Sequence, residues 1–285
     1  LKTDANENAE LEIRSRSFFA FNTNCCIKAA VETDGAQPLS GKLLEKALND
    51  AVGLCYSYEK LWSHTRKGSD IWRLNHAQGE SVPIDTETAK ILQLSRHYRE
   101  ETAELFDVSM APVAELWNFR KAQVPKSAEI AHALEIAKTG HPRIMEDHAQ
   151  LPTPESKVSL GGIAKGYIAD GVLDVLARHG VEHAIVNLGG NVAVMGGRPD
   201  GTPWQVGLRQ PVASHGIPVT AIFAAVGVTS GSAVTSGVYE RAFTSDGKAY
   251  HHIIDPRTGF PAESDVVSAT VVSRTSLEGD GYSTS

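Results

Sequence analysis

The chain has 285 residues, 41% apolar and 21% charged, enough to bury a full core as an ordinary globular protein and too apolar to be a disordered one. Its net charge of −7 argues against a nucleic-acid backbone as main partner, because neutralising phosphates calls for a basic surface. No apolar run approaches the roughly 18 residues that span a bilayer, and Cys25, Cys26 and Cys55 make no disulfide framework; they read as buried thiols in a reducing compartment.

The opening LKTDANENAELEIRSR shows no hydrophobic signal segment and no cysteine placed for lipidation, which favours the cytoplasm; the missing initiator Met leaves an exported form open. Residues 1–16 read as an N-terminal extension. SRSFFAFNTNCCIKAAVET reads as a first strand, followed by a turn-rich linker around Asp34 to Pro38. Ser40 can cap a helix in which Leu44, Leu48, Val52 and Cys55 recur at helical spacing. A second helix is expected from the capping Asp85 through Ile91, Leu92, Ser95 and Tyr98 to about Leu105. FDVSMAPVAELWNF then places Asp107, Ser109 and Pro112 in a loop before Trp117, an indole more suited to core than to ligand.

A third helix is predicted over residues 127–138, stopped by Gly140 and Pro142, and a fourth over residues 163–179, stopped by Gly180. The fourth opens with SLGGIAKGYIAD. Free amides at a helix start, the approachable backbone of Gly161 and Gly162, and Lys165 in the first turn suit a phosphate cradle, while a glycine turn packed on a sheet explains the same residues equally well. Neither the dinucleotide G-x-G-x-x-G nor the P-loop pattern is present.

Past Gly180 the chain turns to short β-branched segments: HAIVNLGG, NVAVMGG, WQVGLRQP, VTAIFAAVGV, RAFTS, YHHIIDP and VVSATVVS. Gly189 and Gly190 fit a hairpin with positive φ. Helices first and strands after favour an α+β architecture with a largely antiparallel sheet in one compact unit. In GVYERAFTSDGKAYHHIIDPRTGFPAE, His251 and His252 stand in a strand-like segment and so point to opposite faces, with Asp255, Arg257 and Thr258 close behind. That density of acid–base and turn chemistry reads as a site. The terminal EGDGYSTS offers Asp280, Ser283 and Thr284 within one turn, which suits a hard cation or, equally, a helix cap.

Taken in this order, SFFAFNTNCC, SHTRKGSDIWRLN, FDVSMAPVAELWNF, SLGGIAKGYIAD, NLGGNVAVMGG, TSGVYERAF, HHIIDPRTGFPAE and GDGYSTS make the chain resemble the ApbE-like FAD:protein FMN transferases over residues 17–285. The resemblance implies a single ApbE-type, T-fold-like α+β domain over that range, whose end at Ser285 leaves a truncated carboxyl terminus open. It implies FAD as substrate, Mg²⁺ as cofactor, and transfer of the FMN half to a Ser or Thr hydroxyl of an acceptor protein, with AMP released. Metal positions would be Gly162, Asp280, Ser283 and Thr284. FAD contacts would fall at Phe21, Ser109, Met110, Ala111, Ser159, Lys165 and Ile254. Lys165 would neutralise charge, and His252, oriented by the Asp-Pro-Arg-Thr-Gly turn, would act as general base. Two alternatives share these residues: a pyrophosphatase giving FMN and AMP, and a non-catalytic FAD-binding module suggested by Ser159 and Asn191, where such families carry Asp.

Overall fold

The computed structural model describes residues 10–33, 41–211 and 221–285, so the linker expected around Asp34 to Pro38 and the Ser40 cap lie outside the described residues. In chain order the elements are β1 (Glu10–Ala20), β2 (Thr23–Thr33), α1 (Gly41–Trp62), α2 (Asp70–Asn75), β3 (Val82–Pro83), α3 (Thr86–Glu101), α4 (Ala111–Leu116) and α5 (Ser127–Thr139). They continue with β4 (Arg143–Ile144), β5 (His148–Gln150), α6 (Ala164–Arg178), β6 (His183–Leu188), β7 (Asn191–Met195), β8 (Trp204–Arg209) and β9 (Ile222–Val228). The last are β10 (Gly231–Gly237), β11 (Ala242–Ser245), β12 (Lys248–His251), β13 (Ser268–Ser273) and α7 (Ser276–Ser283). None of the helices is long and apolar enough to cross a membrane, among the described residues.

The centre is a six-stranded antiparallel sheet in the order β1-β2-β6-β7-β10-β13. The stretch expected as one first strand is a hairpin: Phe21 and Asn22 both take left-handed φ, 54° and 58°, and reverse the chain between β1 and β2. Phe-Asn is not the Asn-Gly signature of such a turn, which is why alternation alone reads through it. Cys25, Ile27 and Ala29 of β2 and Ala184, Val186 and Leu188 of β6 point to one buried face, covered by α1 and α6 through Leu44, Leu48, Ile168, Val172 and Leu176. β7 is buried on both faces, because the β8–β9 ribbon packs Trp204, Val206 and Val228 against Val192 and Val194.

A satellite core lies beside this main one, where Trp117, Val113, Ile130 and Leu134 meet Phe243, Tyr250, Ile254 and Phe260. Trp117 is core, as its sequence context suggests, and its indole N–H donates to the Gly259 carbonyl at 3.0 Å. The loop expected over residues 107–116 is instead a 3₁₀ turn followed by α4, with Asp107 capping the Ser109 N–H.

Register places several turns at one end of the large sheet. Cys25 pairs with Leu188, so the β1–β2 and β6–β7 turns are neighbours there, and Thr23 sits directly against Gly189. Asn191 pairs with Val234, and β10 runs on past it to Ser236 and Gly237 alongside Ser268 of β13.

Candidate active site

The junction of α6 and α7 lies at that end of the sheet. Gly166, in the first turn of α6, faces the start of α7 so closely that a Cβ there would stand 2.3 Å from the Ser276 carbonyl oxygen. Only glycine fits, and its N–H is thereby free to donate to the Asp280 carboxylate at 2.5 Å. The other Asp280 oxygen accepts from the Asn191 side-chain amide at 3.0 Å, and the Asn191 carbonyl oxygen accepts from the Ser276 hydroxyl. Asp280 is 5% exposed; burial pushes its pKa up, while the Lys165 ammonium and the two hydrogen bonds work the other way. Asp170 accepts from the N–H groups of Ser276 and Leu277 and so anchors α7 to α6. Burial raises its pKa to about 6.

The hydroxyls of the tail gather around Ser236 of β10. Its Oγ lies 2.9 Å from Ser283 Oγ and 3.3 Å from Thr284 Oγ1. The Thr284 methyl is 3.9 Å from where a Cβ on Gly162 would sit, and Phe106 lies 3.2 Å from the same point. Gly162, Asp280, Ser283 and Thr284, separated by more than a hundred residues of chain, thus converge on one corner. Among the described residues no three His, Cys, Asp or Glu side chains come together. A cation at this corner would be held by one carboxylate with hydroxyl and main-chain oxygens, a donor set suited to a hard divalent ion, and its charge would offset that of a buried carboxylate.

The expected flavin-side residues surround this corner unevenly. The Ser159 N–H donates to the Val108 carbonyl at 2.9 Å, which ties the glycine turn at 161–162 to the segment carrying Ser109, Met110 and Ala111. The Gly161 N–H points at Ser159 Oγ, 3.4 Å away. Ser109 is wholly buried, with its hydroxyl 3.1 Å from His141 Nδ1; Ala111 is buried, and Met110 packs against the satellite core. Phe21 is at the hairpin tip, its N–H bound to Glu59 Oε1 at 2.6 Å. The positive charge of Lys165 acts on Cys25, His252 and Asp280, so the sheet end, the histidine segment and the carboxylate all lie within its electrostatic reach.

The histidine segment departs from a plain strand. β12 ends at His251, and the chain bends at His252, whose N–H donates to the Arg241 carbonyl at 3.1 Å. The two rings are therefore not related by simple strand alternation. Nor does the Asp-Pro-Arg-Thr-Gly turn hold His252: Arg257 grips its own Asp255 through two nitrogens, and Asp255 closes the turn by accepting from Gly259. The turn instead supports Ile254, which bridges to Pro261, and Phe260 in the satellite core. His251 Nε2 is 3.0 Å from the Ala262 carbonyl oxygen. His252 Nδ1 is buried without a partner, and burial together with the nearby Arg241 charge lowers the His252 pKa to about 4. At neutral pH the ring is uncharged and can take up a proton.

The model of the ApbE family matches residues 21–285. The chain belongs to the ApbE family. It is 35% identical over 232 residues to an FAD:protein FMN transferase of Klebsiella pneumoniae (strain 342), covering 80% of this chain and 70% of that one. It is 30% identical over 289 residues to the FAD:protein FMN transferase of Treponema pallidum, covering 95% and 77%. Among solved structures, the ApbE protein of Thermotoga maritima superposes with a TM-score of 0.81 at 27% identity over 96% of this chain and 85% of that one. The flavin transferase ApbE of Vibrio cholerae gives 0.81 at 28%, over 96% and 86%.

Within this ApbE fold several residues at the corner escape sequence reasoning. Ser236 sits in a strand with no charge or periodicity to single it out. Asp170 had a readable signal, since it lies four residues after Gly166 and so on the same side of α6. Asn191 stands out in sequence only by what it is not, and its amide is seen in the structure to be bound to Asp280.

Proposed function

We propose that this chain transfers FMN from FAD to a Ser or Thr hydroxyl of an acceptor protein, with a divalent cation, Mg²⁺ in the first instance, held at Gly162, Asp280, Ser283 and Thr284. The observation that carries this reading is that α7 brings the buried Asp280 carboxylate to the first turn of α6 and the Thr284 side chain to Gly162, with Lys165 and an uncharged His252 within electrostatic reach. The names of its relatives point the same way.

In the reaction the acceptor hydroxyl oxygen forms a new bond to the FMN-side phosphorus of the FAD pyrophosphate. The P–O bond to the AMP phosphate breaks, and its electron pair leaves with AMP. The hydroxyl proton would go to the uncharged His252 ring. Lys165 would face the charge that grows on the phosphoryl oxygens. A dication bound at the corner would supply further charge neutralisation on those oxygens. Ser109, Met110, Ala111, Ser159, Phe21 and Ile254 would hold the rest of FAD.

The test is incubation with FAD, MgCl₂ and a candidate acceptor, followed by intact mass of the acceptor and chromatography of the nucleotides. Gain of one FMN per acceptor with AMP released in equal amount is the expected result. Free FMN and AMP with an unmodified acceptor would make the chain a pyrophosphatase instead. FAD bound and unaltered in the presence of Mg²⁺ would make it a binding module.

A further inference from the structure

Asn191 is 1% exposed, at the first position of β7, and spends both ends of its amide on the α6–α7 junction. Its Nδ2 donates to Asp280 Oδ1 at 3.0 Å, and its Oδ1 accepts from Ser276, the first residue of α7. The Asp280 carboxylate, which only accepts, fixes which way the amide faces, since a flipped Asn191 would set its carbonyl oxygen against it; the Ser276 hydroxyl donates to the far end and anchors it. With Gly166 N–H on Oδ2 and Asn191 on Oδ1, each carboxylate oxygen receives one neutral donor, and the plane of the group is set from two different elements. Such a hold adds no charge of its own to the carboxylate. A buried amide satisfied at both ends is more than packing requires at a position where the neighbouring strand residues, Val192, Ala193 and Val194, are all apolar.

We propose that Asn191 is a positioning residue for the cation: it orients the Asp280 carboxylate for a divalent ion, and Ser276 anchors the far end of the amide that does so. The inference rests on the cation reading given under the proposed function and adds to it a residue that does not itself touch the ion. Partners of this kind are worth about 10–100-fold in metal affinity.

The experiment is calorimetric titration of the purified chain with MgCl₂ alone, and with MnCl₂ as a tighter probe, without FAD, for wild type, Asn191→Ala, Ser276→Ala and Asp280→Asn. Cation affinity should fall about 10–100-fold in Asn191→Ala. In Ser276→Ala, where the amide remains but loses its anchor, it should fall several-fold, about 3–10. FAD binding in the absence of cation should stay within about twofold in both. Apparent Mg²⁺ requirement in turnover should rise in parallel, with kcat recovered at saturating Mg²⁺. Unchanged cation affinity in a folded Asn191→Ala, when Asp280→Asn has lost it, overturns the positioning role and leaves the cation site standing. If Asn191→Ala does not fold, unchanged affinity in Ser276→Ala decides the same way. Wild type that binds neither ion overturns both the inference and the cation reading beneath it.

Discussion

The two sides of the candidate site are built in opposite ways. At the α6–α7 junction each polar side chain is engaged: Asp280 by Gly166 and Asn191, Asn191 by Ser276, Asp170 by the first amides of α7, and Ser236 by Ser283 and Thr284. In the histidine segment, ring nitrogens of both His251 and His252 are buried with no partner. A buried polar atom left unpaired costs roughly 1–3 kcal/mol. The first side is complete before any ligand arrives and is suited to holding a fixed charge. The second is finished only when a substrate group meets it, as expected of a group that receives a proton during the reaction.

The sharpest way to break this contrast is to remove the charge from the complete side without disturbing its shape. Asp280→Asn keeps an oxygen for the Gly166 N–H, and the Asn191 amide can turn over to accept from the new amide nitrogen while the Ser276 hydroxyl accepts in its turn, so the junction should remain folded. AMP release from FAD should fall roughly 10⁴-fold or more, because a cation held there contributes several kcal/mol to charge stabilisation. Near wild-type AMP release with MgCl₂ present would place the cation elsewhere.

On the incomplete side the expected loss is smaller. His252→Ala should slow transfer roughly 10²–10⁴-fold while cation affinity, read by calorimetry, stays unchanged. In wild type the acid limb of the rate profile should follow the lowered pKa of about 4, because the ring is protonated only below it; the variant should lack that limb. An acid limb that persists in His252→Ala would assign the proton to another group.

The same contrast governs what could be read from the chain. The buried face of β6 alternates and β7 is apolar from Val192 onward, and both are visible as strands. α7 is not visible as a helix, because Gly279 and Gly281 interrupt it; they are there for contact, since a Cβ would stand 2.5 Å from Val234 at one and 2.4 Å from Tyr98 at the other. Gly161, Gly162 and Lys165 announce a helix start by residue type alone, and α6 begins at Ala164. What local pattern cannot give is the meeting of that turn with residues 280–284, which depends on α7 packing across α6 and β10. The ordered resemblance over the whole chain supplied it. Ser236 and the role of the Asn191–Ser276 pair lay beyond even that, because a serine on a strand and an amide at a hairpin are common, and only the packing of α7 brings Ser236 to Ser283 and Thr284 and sets Asn191 against Asp280.

The smallest effect concerns stability, where the two sides pull against each other. His252 has a folded pKa of about 4, below its ordinary 6.5, so the folded chain binds fewer protons between those values and stability is lost as pH falls through the window. Asp170 has a folded pKa of about 6, above its ordinary 3.8; its contribution is present at low pH and lost as pH rises toward 6. Each is worth at most about 3 kcal/mol, and between pH 4 and 6 they largely cancel. Asp170→Asn removes one arm while its side-chain oxygen can still accept from an α7 amide. Denaturant titrations at pH 7 and pH 4 should show the variant losing up to about 3 kcal/mol more than wild type across that interval. Equal losses in the two proteins would mean that the Asp170 carboxyl is ionised throughout, held so by the α7 amides more firmly than its burial opposes.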